Sequence, residues 1–430
     1  ICRAMLPRFD LLAVCGYAFF SFFAPSEAFL YGYLRSSKGF SPQALVNDVY
    51  PVWTYALFVF LPLVMQCVQR CGAKRIIVVA SLARVAAGAI VIFVPRGGTP
   101  DAVALMQLDM VCFGFFFAVK AVVLPAYVFE LVSAESFQKG ITLARSSMLM
   151  ACGASALLGQ FLAGVGVTVL QQVWITLFAH GLALPCALAL PPTTPALESR
   201  FNPAGLLQLV RGRCVVVWML LWLVGISAAQ ELMLTYYQAI FQLALPATAV
   251  RWNASVLFAA YVAGTCASAL PAQPAMETRL RDSIMWLAPA TCALGALLLG
   301  ALGRSADAPG SMPDLAVWSC FAAAHATFEF VRTLCVAQLG VLMDKQGCRQ
   351  FLPVLALKQF TASAMQLVLQ AAIERASPRV GTQSVALGAF LATLAGALGV
   401  ATAASRLRDC TARGASGVRG DLPRRLPTCA

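Results

Sequence analysis

The sequence predicts an all-α membrane protein of about twelve transmembrane helices in two six-helix bundles, and three observations predict it: too little charge for a water-soluble surface, apolar runs that recur at spanning length, and one long polar-interrupted connection that divides them six and six. Of 430 residues, 60% are hydrophobic and 11% charged, with a mean hydropathy of +0.79. A soluble chain carries about 25% charge. Lipid is the alternative solvent, and a helix crossing it needs about 20 mostly apolar residues. Allowing roughly 35 residues for each span and its connection, the chain accommodates about twelve.

Apolar runs bounded by charge or by Pro and Gly clusters give the spans in order. The first half reads 11–34, 48–68, 75–95, 103–132, 141–164 and 168–190; the second reads 214–243, 250–273, 281–303, 314–343, 350–373 and 382–405. The chain opens on Ile1 rather than Met, so a native start is expected upstream, and the segment from Leu11 is too long and too polar-interrupted for a cleaved signal peptide. This divides the chain into an N-terminal bundle (1–190), a cytoplasmic linker (191–213), a C-terminal bundle (214–405) and a basic tail (406–430) expected to be disordered. Attraction of that tail to anionic lipid is the sharper reading.

The formal net charge of +13 would suggest nucleic acid in a soluble chain; here it reads as the positive-inside bias of a membrane protein. With the N-terminus inside, the cytoplasmic connections and tail hold nineteen Lys and Arg, and the outer connections seven. Both termini are therefore expected in the cytoplasm. The 15 cysteines are scattered without a CxxC pair, and His180 and His325 are far apart. A disulfide framework or a structural metal site is not expected, and neither is a cofactor. No HExxH, GxSxG or Walker loop occurs, so an enzyme is not expected.

Ionisable groups inside a bilayer are costly unless they face a wet cavity or a partner. Glu27 lies in the first span beside Pro25, which removes a backbone donor and loosens the helix there. Lys120 lies mid-span after Phe115-Phe116-Phe117, where no lipid-facing role suits an ammonium. Arg145 opens the fifth run, as a cavity residue or an interfacial anchor. Glu231, Glu329, Arg332 and Lys358 occupy the seventh, tenth and eleventh. Glu329 and Arg332, three apart, read as an ion pair on one helix face. Arg84 reads as a buried inter-helix partner, and Asp48 and Asp109 as solvated near span ends. Bases in the spans outnumber acids five to three, which would make a shared cavity positive and favour an anionic or zwitterionic ligand. Trp53 reads either as an interfacial belt residue or as a stacking surface for a flat heterocycle.

Several stretches carry a resemblance. Pro25-Ser26-Glu27-Ala28-Phe29-Leu30 is similar to a P-(S/G)-E-x-F segment, and Tyr50-Pro51-Val52-Trp53-Thr54-Tyr55 to a Y-P-V-W-T-Y segment. Phe137-Gln138-Lys139, Arg145-Ser146 and Leu158-Gly159-Gln160 follow a Y-Q-(K/R)…(S/C)-R-(S/A)…L-G-Q order; Arg251-Trp252-Asn253-Ala254 resembles (V/R)-Y-N-G. Together they resemble the reduced folate carrier and thiamine transporter family of the major facilitator superfamily. The resemblance implies a secondary transporter whose halves rock about a midplane site. It implies that Glu27 reads an amino-substituted heterocycle, that Trp53 packs beside it and that Arg145 belongs to the site. Counted forward from Met106-Gln107-Leu108, Lys120 falls where folate carriers have Arg and thiamine carriers Glu; counted back from Tyr127, Ala121 falls there. Asn253, His325 and Lys358 complete the expected substrate-binding set. The expected substrate is a folate-like vitamin anion, with thiamine or thiamine phosphate as the alternative and a non-transporting membrane receptor as a further one. Coupling to a proton or counter-anion, contact with membrane lipid, residence in the plasma membrane and no nucleic-acid partner complete the expectation.

Overall fold

The computed structural model describes residues 2–41, 43–132, 134–192, 214–245, 249–344, 351–376 and 380–416. Linker residues 193–213 and the tail beyond Ser416 lie outside them. Among the described residues the secondary structure is helical throughout, and twelve spans follow in chain order. The first is Cys2–Phe22, continued after a break by Leu30–Ser36. Pro51–Cys71, Ala73–Phe93, the compound span from Pro100 to Leu131, Ala134–Gly164 and Val169–Ala189 complete the first half. The second half comprises Cys214–Ala244, Ala249–Ala269, Pro274–Asp307, Asp314–Asp344, Phe351–Ala376 and Val380–Ser416. Eleven are long and apolar enough to cross a bilayer, and Asn253–Ala269 in the eighth is a shorter apolar helix.

The sequence signals explain the ends. Thr99 caps the fourth span, with Pro100 in the first turn, where a missing N–H costs nothing. Thr168 and Gln171 form a reciprocal capping box on the sixth. The break in the first span follows from Pro25, and Ser26 is fastened across it by its hydroxyl, 3.0 Å from that of Thr176 in the sixth span. Two boundaries differ from expectation. The fifth span starts at Ala134, so Phe137-Gln138-Lys139 lies within the helix. The last span continues to Ser416, past Arg406, where a disordered tail was expected; the stretch from Ala401 to Ser416 holds no proline, and Ala, Arg and Leu among its residues favour a helix.

Packing within the first half joins the first span to the fifth and sixth, the third to the fourth and sixth, and the second to the fourth. In the second half, the seventh packs on the tenth and eleventh, the eighth on the tenth, and the ninth on the twelfth. Between halves, the fifth meets the eighth and tenth, and the eleventh meets the second and fourth. These contacts exchange with one another when the halves are exchanged, the pattern of two like bundles about a pseudo-twofold axis.

The two ends of this interface differ. Where the linker leaves, Tyr127 donates to the Pro191 carbonyl at 2.7 Å. There Phe129 and Phe351 stack at 4.6 Å between ring centroids, and Phe137 meets both edge-on at 5.1 and 5.3 Å. Gln138 donates to the Pro271 carbonyl beside them. At this linker end aromatic rings from both halves pack on one another. Nearer the opposite end, Phe58 stacks on Phe360 at 4.3 Å, and Gln366 reaches Thr54 at 3.5 Å.

Candidate functional site

Between the halves lies a cavity with four cationic side chains in its wall. Lys120 and Arg145 come from the first half, Arg332 and Lys358 from the second, and Phe22, Met148 and Leu355 are among the apolar residues that separate them. Burying charge is costly unless it is paired and hydrogen-bonded, and much of this set is. Arg145 binds Glu329 with two parallel donors, Nε to Oε2 at 2.6 Å and Nη2 to Oε1. Gln230 donates to the same carboxylate. Arg332 reaches Glu231 at 3.3 Å and Gln230 at 3.4 Å. Gln359 donates to Glu231 at 3.1 Å and accepts from the Lys358 ammonium at 2.9 Å. A single network thus runs from the fifth span through the tenth, seventh and eleventh.

The network holds three cations, Arg145, Arg332 and Lys358, against two carboxylates, and Lys120 adds a fourth cation to the cavity wall, so positive charge is in excess. Among the described residues Lys120 has neither a carboxylate nor a hydrogen-bond acceptor on its ammonium. Its Nζ lies instead 4.2 Å from the centroid of Phe117 and 4.7 Å from that of Phe22. Ring faces attract a desolvated cation by about 2 kcal/mol, less than the several kcal/mol that burying an ion costs. An anion entering the cavity would supply the difference.

Lys120 is presented by a π-helical turn, Val119–Val123, set between the helices Pro100–Ala118 and Leu124–Leu131. Such a turn accommodates one residue more than the α-helix around it. Pro125 explains its place, since proline lacks the N–H and clashes with the carbonyl four residues back unless the preceding turn widens. The extra residue equals in size the one-residue difference between the two registers counted from its two sides.

The other expected site residues are distributed around this cavity. Trp53 is buried, edge-on to Phe113 at 5.9 Å and to Phe117 at 5.4 Å, so it adjoins the Lys120 ring pair and is not a belt residue. Tyr55, two residues on, is the exposed one. Glu27 is exposed and lies in the turn after Pro25, which packs against the eighth span of the other half; it is not among the residues that line the cavity of Lys120, whereas Phe22, five residues earlier, is. Gly159 lets the fifth span approach this break, for a Cβ there would strike the Pro25 carbonyl. The two resembling motifs around Pro25 and Gly159 therefore touch. Asn253 and His325 are buried in the eighth and tenth spans, outside the cavity wall.

Two readings of charge are corrected. Glu329 and Arg332 do not pair with each other; each turns to a different neighbour, because residues three apart on a buried helix diverge when better partners sit on adjacent helices. Asp109 is 4% exposed inside its helix rather than solvated at an end. Of the two readings open for Arg145, the structure has the cavity residue, paired across the bundles with Glu329 rather than anchored at an interface. Arg332 was absent from the expected site, as were the amides that link the network. The doublets Gln230-Glu231 and Lys358-Gln359, adjacent polar pairs in apolar spans, were the available signal.

Residues 8–202 match the sequence model of the family described as reduced folate carrier. Thiamine transporter 2 of Mus musculus is 32% identical over 155 residues, 36% of this chain and 30% of that one. A folate-like transporter of Dictyostelium discoideum is 23% identical over 333 residues, 76% of this chain and 55% of its own. The chain thus spans between about a third and about half the length of these relatives. Among solved structures, a D-xylose-proton symporter superposes with a TM-score of 0.65 at 12% identity, over 91% of this chain and 96% of that one. A proton:xylose symporter of the major facilitator superfamily bound to 6-bromo-6-deoxy-D-glucose gives 0.61 at 14%, over 90% and 93%. At such identity the likeness is one of fold. The fold is the one that these two symporters share. Residues 8–202 thus resemble the reduced folate carrier family, and the chain is similar in sequence to thiamine and folate-like transporters and in fold to the two symporters.

Proposed function

We propose that the protein is a secondary transporter that moves a folate-like organic anion across a membrane by alternating access. The observation that carries this reading is the excess of cations over carboxylates in one cavity walled by both halves. In this reading Lys120 and Lys358 face the acid groups of the substrate, with Arg145 and Arg332 beside them. Glu27 accepts paired N–H bonds from the heterocycle, which a carboxylate does well, and Trp53 and Asn253 bound that end. The nineteen-to-seven bias of basic residues supports both termini in the cytoplasm, and the plasma membrane is the proposed residence.

A second reading, thiamine or its phosphate, is favoured by Trp53, whose ring lies buried with Phe113 and Phe117 where a flat cationic heterocycle would find aromatic faces. The similarity to thiamine transporters supports it too. Uptake into vesicles separates the readings. Labelled folate should accumulate, unlabelled folate should compete better than thiamine, and Lys120→Glu should abolish accumulation. Preferential competition by thiamine would select the second reading. Binding without flux would make the protein a receptor and end both.

A further inference from the structure

The cross-bundle ion pair raises a problem that the second half is built to solve. Glu329 is 1% exposed, and its cation, Arg145, comes from the other half. When the halves part, as the alternating-access reading requires, Glu329 loses that cation and keeps only the neutral amide of Gln230 from its own half. Arg332, on the same helix, is engaged with Glu231. A buried carboxylate left in this way is strongly unfavourable.

One turn before Glu329 on the same face lies His325, 1% exposed, with Nδ1 and Nε2 both lacking a hydrogen-bond partner. Buried polar atoms are seldom left so. The ring stands edge-on to Tyr261 of the eighth span, 5.0 Å between centroids at 89°. Gly264, also of the eighth span, is what admits it. A Cβ there would lie 3.2 Å from His325 Nε2 and 3.3 Å from Glu329 Cγ, so the imidazole and the carboxylate arm converge on one point. The ionisable groups facing the ring are Tyr261 from the eighth span, Arg145 from the fifth, and Glu329 and Arg332 from its own helix.

We propose that His325 is a proton-binding site of this transporter, which takes a proton from water onto the imidazole as Arg145 withdraws and so replaces the cation that Glu329 loses. With the bridge made, two guanidinium groups oppose a further positive charge beside them. With the halves apart, one has gone and the carboxylate stays. Each opening then takes up one proton, and each closing returns it to water as Arg145 re-engages.

The inference rests on alternating access, but its test needs no substrate, so it fails or stands apart from the vitamin assignment. Lys139 and Gln273 are exposed and flank the Gln138–Pro271 contact at the linker end. Spin labels introduced there as unnatural amino acids, with native cysteines retained, would report the separation of the halves in full-length protein in nanodiscs. One proton per opening predicts an open-to-closed ratio that rises about tenfold for each unit fall in pH. Both His325→Gln and Glu329→Gln should flatten that response, the first by removing the acceptor and the second by removing the charge to be balanced. A wild-type pH response in either folded variant, or no pH response in the wild type, would overturn the proposal. Should His325→Gln not fold, Glu329→Gln alone decides.

Discussion

At Arg145 and Glu329 the unequal burial of the partners, 14% and 1% of the side chain, has a measurable consequence. Removing one member of a buried pair costs about 3–5 kcal/mol because the other charge is left uncompensated. The penalty should be larger for Arg145→Gln, which strands the fully buried carboxylate, than for Glu329→Gln, which leaves a guanidinium bordering the cavity. The double variant should recover most of the loss, and thermal unfolding of the four proteins in one detergent reads the order. Equal single losses would mean that the pair is not the dominant interaction of either residue. The presence of charged residues in the spans was legible in the sequence, but their pairing was not. Glu329 and Arg332 satisfy the three-residue spacing of an intrahelical pair. Only the packing of the fifth and seventh spans against the tenth reveals that each has a better partner elsewhere.

Helical elements were read closely where Pro and charge bound them, as in the tenth span, expected at 314–343 and found at Asp314–Asp344. They were read less well where the helix itself is irregular. The break after Phe22 was announced by Pro25, whereas the π-turn at Val119–Val123 showed only as a one-residue conflict between two ways of counting. Deleting Ala121 should let α-helical hydrogen bonding run through, turn Lys120 relative to Arg145, and leave a folded protein with impaired uptake. Unchanged uptake would show that the turn is incidental to the site. At the linker end, Phe137 packs with Phe129 and Phe351 at full burial. Phe137→Ala should cost about 3–5 kcal/mol if the cluster stays closed, and less if the variant instead rests with that end open. Unfolding combined with the Lys139–Gln273 separation distinguishes the two.

Over the whole molecule, the division into two halves follows from the polar connection at 191–213, and the contacts that exchange between halves follow from each half having the same six-span packing. What could not be read from the chain was which charges of the two halves converge, since that depends on how the bundles face each other. The claim that they enclose a cationic chamber for an organic anion is tested most directly by equilibrium binding of folate to the purified protein and to Lys120→Glu and Lys358→Glu. Each reversal of charge should weaken binding by well over tenfold, given that about 1.4 kcal/mol corresponds to a factor of ten and that one charge contact near a protein surface exceeds that. Affinity for folate unchanged in both folded variants would contradict the account.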